Sequence, residues 1–175
     1  MFFLKLILTG LITGILGYFL IERWLKNYLQ GLSLNGQIKA VLILGFLYAV
    51  AFASIFAGLI ADLMQTNVFV VWLFLLPGIF STNTLIIMIV VFSVVFVEGY
   101  KEFASYAYEV LAPLVAGTLG FLFGLIKPQN YTMLFFDPGA IATINFMAGL
   151  FGGALSAGIA YITAKVLNSL SPNFD

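Results

Sequence analysis

The sequence contains neither cysteine nor histidine. Without cysteine, the chain itself can form no disulfide, iron–sulfur cluster, zinc–thiolate site or thiol nucleophile. Without histidine, it has no imidazole for haem ligation, for a Ser-His-Asp triad or for proton transfer near neutral pH. A metal site built from carboxylates needs clustered acids, and only Glu98 and Glu102 sit at helical i, i+4 spacing. We therefore expect a protein that is not an enzyme and that holds no metal ion or cofactor.

Charged residues are also scarce: 8% of the 175 residues are charged, whereas 63% are hydrophobic, and the mean hydropathy is +1.15. Soluble domains carry about 25% charged and about 45–50% apolar residues. A soluble fold of this size could not bury so much apolar surface. We expect an integral membrane protein of a cell or inner membrane, surrounded by the lipid bilayer. The formal net charge of zero argues against a nucleic-acid partner.

Four apolar runs are each long enough to cross a bilayer as a helix, which takes about 20 residues. They are residues 2–21, 40–64, 107–126 and 140–167. No region is long or polar enough to form a separate soluble domain. The chain is therefore predicted to be a single integral membrane domain, residues 1–175, folded as an all-α bundle of transmembrane helices.

The stretch 68–97 leaves the number of spans open, because Pro77-Gly78 and the polar residues 81–84 interrupt it. Two short spans here would give six spans in total. A half-helix or one kinked helix would give five, with a broken helix near 68–84. Five spans place five basic residues on one side of the membrane and two on the other, which satisfies the positive-inside rule better than a four-to-three split. We favour six spans, since a Pro-Gly break is costly inside a lipid-facing helix.

A short pattern recurs along the chain, which is the signature of an internal repeat. Leu73-Phe74-x-x-Pro77-Gly78-x-x-x-Thr82 is followed later by Leu134-Phe135-x-x-Pro138-Gly139-x-x-x-Thr143. The pattern suggests two units, 1–83 and 84–170, in a weak 3+3 inverted repeat of the kind found in transporters. Chance matches are the alternative, because membrane sequences use few residue types.

The two Pro-Gly pairs, Pro77-Gly78 and Pro138-Gly139, are interpreted as helix breaks. Helix breaks at matching positions of two halves are typical of a transporter's binding site near the membrane midplane. The candidate transport path comprises Thr82, Thr143 and Asn145, which follow these breaks, and Glu98, the best candidate acid because the apolar run before it is short. The alternative for Glu98 is a helix-end charge at the membrane surface, where Glu109 is also expected. The alternative for the neutral side chains is a hydrogen bond to a neighbouring helix.

Glycines line one face of the first and last spans at spacings that allow close approach of helix backbones. The helix-packing candidates are Gly10, Gly14, Gly17, Gly149, Gly152 and Gly153. They serve either packing within the chain or contact with a partner, which is a second copy or another membrane subunit. We expect a membrane-embedded transport module for a small solute or ion, with a site between the two Pro-Gly breaks. The alternative is a non-catalytic structural or assembly subunit of a larger membrane complex.

Overall fold

The computed structural model describes residues 1–97, 99, 103–126 and 138–170, and these residues are helical apart from short turns. The chain begins with α1 (Phe2–Leu20), a π-helical turn (Ile21–Leu25) and the short α2 (Lys26–Gln30). The rest comprises α3 (Leu34–Met64), α4 (Val68–Phe92) with a π-helical turn (Ser93–Val97), a 3-10 turn (Ala104–Tyr106), α5 (Ala107–Leu125) and α6 (Pro138–Leu170). The all-α prediction is confirmed.

Five helices among the described residues are long and apolar enough to cross a membrane. The spans are Phe2–Leu20, Leu34–Asp62, Val68–Val97, Ala107–Leu125 and Ala142–Leu170. Their lengths of 19 to 30 residues match the requirement for a hydrocarbon core of about 30 Å. The fold is therefore compatible with an integral membrane protein.

The prediction of a helix break at Pro77-Gly78 is wrong, because α4 continues through both residues. Pro77 lacks the N–H that would bond the carbonyl four residues earlier, yet the helix persists. Gly78 is buried, and a Cβ there would overlap the ring of Phe121 on α5, so this position faces protein rather than lipid. The Ser81 hydroxyl donates to the Gly78 carbonyl at 3.0 Å. Packing against α5 thus supports the helix where the sequence pattern indicated a turn.

The continuous α4 gives five spans in the described part of the chain where we favoured six. The proposed repeat boundary between residues 83 and 84 falls at the middle of the span Val68–Val97. The inverted repeat is therefore not confirmed. The second Pro-Gly pair, Pro138-Gly139, stands at the beginning of α6, where proline is well tolerated because the first turn has no partner for its N–H.

Helix α5 is the centre of the bundle, and α1, α3, α4 and α6 all pack against it. In its most apolar stretch 78% of the residues are buried, compared with 17–33% in the other four spans. Helices α1 and α6 run parallel, because Gly10 faces Ser156 and Gly14 faces Thr163. The contacts of the remaining helices give α4 the same direction as α1 and give α3 and α5 the opposite one.

All six predicted packing glycines contact helices of the same chain. A Cβ on Gly10 would lie 2.7 Å from the Ser156 carbonyl oxygen on α6, and one on Gly17 would lie 2.9 Å from Ala112 Cβ on α5. Gly14 packs on α6, while Gly149, Gly152 and Gly153 of α6 pack on α5. A Cβ on Gly152 would overlap the backbone carbonyl of Gly120. These glycines bring α1, α5 and α6 into backbone contact.

The segment between α1 and α3 covers the end of the bundle at which α5 begins. Leu29 of α2 is fully buried there and belongs to the same core as Phe103. The Gln37 side chain is 5% exposed; it donates to the Leu32 carbonyl and accepts from the Ala104 backbone N–H, both at 2.9 Å. Gln37 therefore links α3 to the segment that precedes α5.

Candidate functional site

Three buried polar side chains meet halfway along the bundle, and together they form what we name the polar cluster: Thr82 and Asn83 of α4 and Thr118 of α5. They are 3%, 0% and 0% exposed. Thr82 and Asn83 lie at the midpoint of the span Val68–Val97. Gly153 of α6 closes one side, because a Cβ there would lie 2.7 Å from Thr82 Cγ2. The cluster is therefore located where α4, α5 and α6 meet.

The local sequence of α4 explains why these polar residues point inward. The buried apolar residues of α4 recur at helical spacing, at Leu75, Ile79, Ile86 and Val90. Positions 82 and 83 fall on the same face, so the burial of that face carries them into the bundle. Gly117 of α5 completes the fit, since a Cβ there would overlap the end of the Ile86 side chain.

The hydrogen bonds of the polar cluster are incomplete. Thr118 Oγ1 is 2.9 Å from the Leu114 carbonyl oxygen and 3.2 Å from Asn83 Oδ1. Thr82 Oγ1 and Asn83 Nδ2 are buried and have no hydrogen-bond partner among the described residues. A buried polar group without a partner costs about 1–3 kcal/mol. The cluster therefore holds two groups that are able to bind a further donor or acceptor.

The structure does not bring the predicted path residues together. Thr82 belongs to the polar cluster, but Thr143 is exposed and Asn145 is half-buried on α6. Asn145 is eight residues from Gly153, or about 12 Å along the helix. Glu98 lies outside the described residues. Of the four helix-break residues, Pro77 is exposed and Gly78 packs on Phe121, while Pro138 and Gly139 begin α6.

Asn83 was not among the predicted path residues. The available signal was the helical spacing of apolar residues across 68–97, which continues through the polar stretch and places Asn83 on the buried side. The interpretation of residues 81–84 as an interruption between two short spans obscured this signal. The contact between Asn83 and Thr118 joins residues 35 positions apart and depends on how α4 packs on α5.

A buried charged residue outside the polar cluster, Glu109, lies in the first turn of α5 and is 0% exposed. Asn168 of α6 places its Nδ2 3.4 Å from Glu109 Oε1. The neighbouring Tyr108 ring makes an edge contact with Tyr18 of α1, with ring centroids 5.2 Å apart. Glu109 therefore lies at a helix end, as expected, but α1 and α6 enclose it, which the sequence did not indicate. A helix N-terminus favours a carboxylate electrostatically.

Other features of the described residues do not form a polar site. An open groove of about 320 Å³ between α3 and α4 is lined by apolar side chains: Leu42, Ile43, Phe46, Leu47, Val50 and Phe80. No group of three or more acidic, histidine or cysteine residues in the described ranges could hold a metal ion. The polar cluster is therefore the candidate site.

Comparison of the chain with protein-family models, with curated proteins and with solved structures finds no match.

Proposed function

We propose that this chain is an integral membrane protein that acts as a transport module for a small solute or ion, with the polar cluster as its binding site. The observation that carries the proposal is the burial, at the midpoint of the span Val68–Val97, of two polar groups without hydrogen-bond partners in the described structure. The site differs from the one predicted between the two Pro-Gly pairs, because those residues do not converge.

The depth of the polar cluster supports this assignment. Polar side chains near the bilayer centre are costly, and they commonly mark substrate or ion pathways. In a bundle that only needed packing, apolar side chains at positions 82 and 83 would avoid the cost of buried polar groups. A solute that hydrogen-bonds to Thr82 and Asn83 would offset that cost while it is bound.

Movement of α4 would open the site. The structure holds the polar cluster closed between close-packed helices, so a solute can enter only when α4 separates from α5 and α6. Pro77 is five residues from Thr82, about 7.5 Å along the helix. It removes one helix hydrogen bond, and prolines are common points of bending in transmembrane helices. We propose that α4 bends at Pro77.

The charge distribution supports one orientation in the membrane. Among the described residues, four basic residues belong to the side on which α5 begins: Arg23, Lys26, Lys39 and Lys165. Lys5 belongs to the other side. The positive-inside rule then places the N-terminus outside and the end of α6 in the cytoplasm.

Flux through vesicles tests the proposed function. The purified chain is reconstituted into liposomes, and the passage of Na⁺, K⁺, protons and water is measured against protein-free liposomes of the same lipid. We expect faster passage of at least one of these, and we expect Asn83→Leu to reduce it. Equal passage in both kinds of vesicle for every solute would overturn the proposal. Circular dichroism and size-exclusion chromatography check that the variant is folded.

The second candidate is a non-catalytic subunit of a larger membrane complex. The observation that favours it is the outward face of α6, where Ala154 and Gly158 are exposed and nothing lies within 4 Å of a Cβ built on Gly158. Small residues four apart allow another transmembrane helix to approach closely. Gentle extraction from the native membrane, followed by native mass spectrometry, tests this candidate. Copurification with different polypeptides supports a subunit, whereas a monomer or homo-oligomer contradicts it.

A further inference from the structure

We propose that the polar cluster accepts a neutral hydrogen-bonding solute about the size of water, and not an ion. This inference rests on the proposed transport function and names the substrate class of the same site. Three features of the cluster support it: its hydrogen-bonding groups are uncharged, the helices that form it carry no charge close to it, and the space around Thr82 is small.

The first argument is the hydrogen-bonding capacity of the cluster. The Thr118 hydroxyl has one hydrogen, and its shorter contact is with the Leu114 carbonyl at 2.9 Å. When it donates there, its oxygen can accept from the Asn83 amide nitrogen, which leaves the amide oxygen free. When Asn83 faces Thr118 with its oxygen instead, the amide nitrogen is free. In either orientation, Asn83 and the Thr82 hydroxyl offer uncharged groups to a solute.

The three helices that form the polar cluster carry no charged residue close to it. The span Val68–Val97 contains no charged residue, and Glu109 is the only one in Ala107–Leu125. Glu109 precedes Thr118 by nine residues, or about 14 Å along α5. Lys165 of α6 follows Gly153 by twelve residues, or about 18 Å. None of the three helices that form the cluster therefore supplies a nearby counter-charge to an ion, and an uncompensated charge in an apolar interior is very unfavourable. Lys5 of α1 adjoins Leu6, whose carbonyl accepts from Ser156 of α6, but Lys5 is exposed on the outside of the bundle. A neutral solute avoids the cost of an uncompensated charge.

The space around Thr82 is small because the neighbouring helices are closely packed. Gly153 and Gly117 already bring α6 and α5 against the side chains of Thr82 and Ile86. A single added methyl group on either glycine would collide with one of these side chains, at 2.7 Å in the case of Thr82 Cγ2. A solute with several heavy atoms would therefore require a large displacement of α4, whereas a water-sized molecule requires a small one.

Stopped-flow measurements on proteoliposomes test the substrate class. Osmotic shrinkage reports water flux, and a parallel measurement with an ion-sensitive dye reports Na⁺ flux. We expect water flux above that of protein-free vesicles, with Na⁺ flux unchanged. Thr82→Val keeps the side-chain shape and removes a hydroxyl that bonds to no described residue. It should lower the protein-dependent water flux about fivefold, the factor for one neutral hydrogen bond to the solute.

Thr9→Val is the matched control, because the Thr9 hydroxyl bonds to the Lys5 carbonyl of its own helix in an exposed setting, and α1 contributes no residue to the cluster. Its water flux should equal that of the unmodified chain. Sodium flux that falls in Asn83→Leu, without water flux, would overturn the neutral-solute inference and leave transport standing. Absence of any flux would overturn the proposed function itself. Equal water flux in Thr82→Val and the unmodified chain would remove the cluster from the path.

Discussion

The same chemical change at two threonines of the polar cluster should alter stability in opposite directions. Replacing threonine by valine removes a hydroxyl and preserves the branched shape. Residue Thr82 is 3% exposed and its hydroxyl is buried and bonds to no described residue, so Thr82→Val removes a desolvation cost and loses no protein hydrogen bond. We expect the free energy of unfolding to rise by about 1 kcal/mol.

Thr118→Val removes the hydroxyl that lies between Leu114 and Asn83. The buried Asn83 side chain then loses its described partner, which costs about 1–3 kcal/mol. The two variants should therefore differ by about 2–4 kcal/mol, or a factor of roughly 30 to 1,000 in the unfolding equilibrium constant. For a chain of this length the midpoint temperatures should differ by at least about 4 °C.

Thermal unfolding in a mild detergent, followed by circular dichroism, measures the difference. Both variants are compared with the unmodified chain in the same detergent, and Thr9→Val again serves as the control. If Thr82→Val loses as much stability as Thr118→Val, the assignment of a partnered and an unpartnered hydroxyl is wrong. The comparison needs no knowledge of the transported solute.

Two further predictions concern helix packing and a buried hydrogen bond. A Cβ on Gly120 would overlap the Gly152 backbone carbonyl, so Gly120→Ala should separate α5 from α6 and cost about 1–3 kcal/mol. Gly158→Ala enters open space and should be neutral or slightly stabilising; equal melting temperatures for both variants would refute the packing argument. Gln37→Leu leaves the Ala104 N–H without its acceptor and should cost about 1–3 kcal/mol. Gln30→Leu, at an exposed position, should change the melting temperature little, and a similar loss in both would contradict the role of Gln37.

The apolar runs predicted four of the five long helices closely. The predicted span 107–126 corresponds to α5 (Ala107–Leu125), and the predicted span 2–21 corresponds to α1 (Phe2–Leu20). These predictions succeed because a long apolar run has one stable form in a membrane, a helix that satisfies its own backbone hydrogen bonds.

The prediction for α4 was wrong because its proline and its polar residues were treated as facing lipid. Whether Pro77-Gly78 breaks a helix depends on what covers it, and Phe121 on another helix covers Gly78. The partner of Asn83 and the burial of Glu109 could not be read from local sequence for the same reason. Both depend on which helices surround α5, and the small residues on many of its faces were the available indication of a central helix.

The absence of cysteine allows the access of water to the polar cluster to be tested directly, because each introduced thiol is the only one in the chain. Thr82→Cys and Gly158→Cys are each exposed, in proteoliposomes, to a small water-soluble thiol reagent. We expect labelling at position 82, because a transport path brings water to the polar cluster when α4 moves. We expect little labelling at position 158, which faces outward from α6. A thiol at position 82 that is as unreactive as the one at position 158 would contradict a transport path through the cluster.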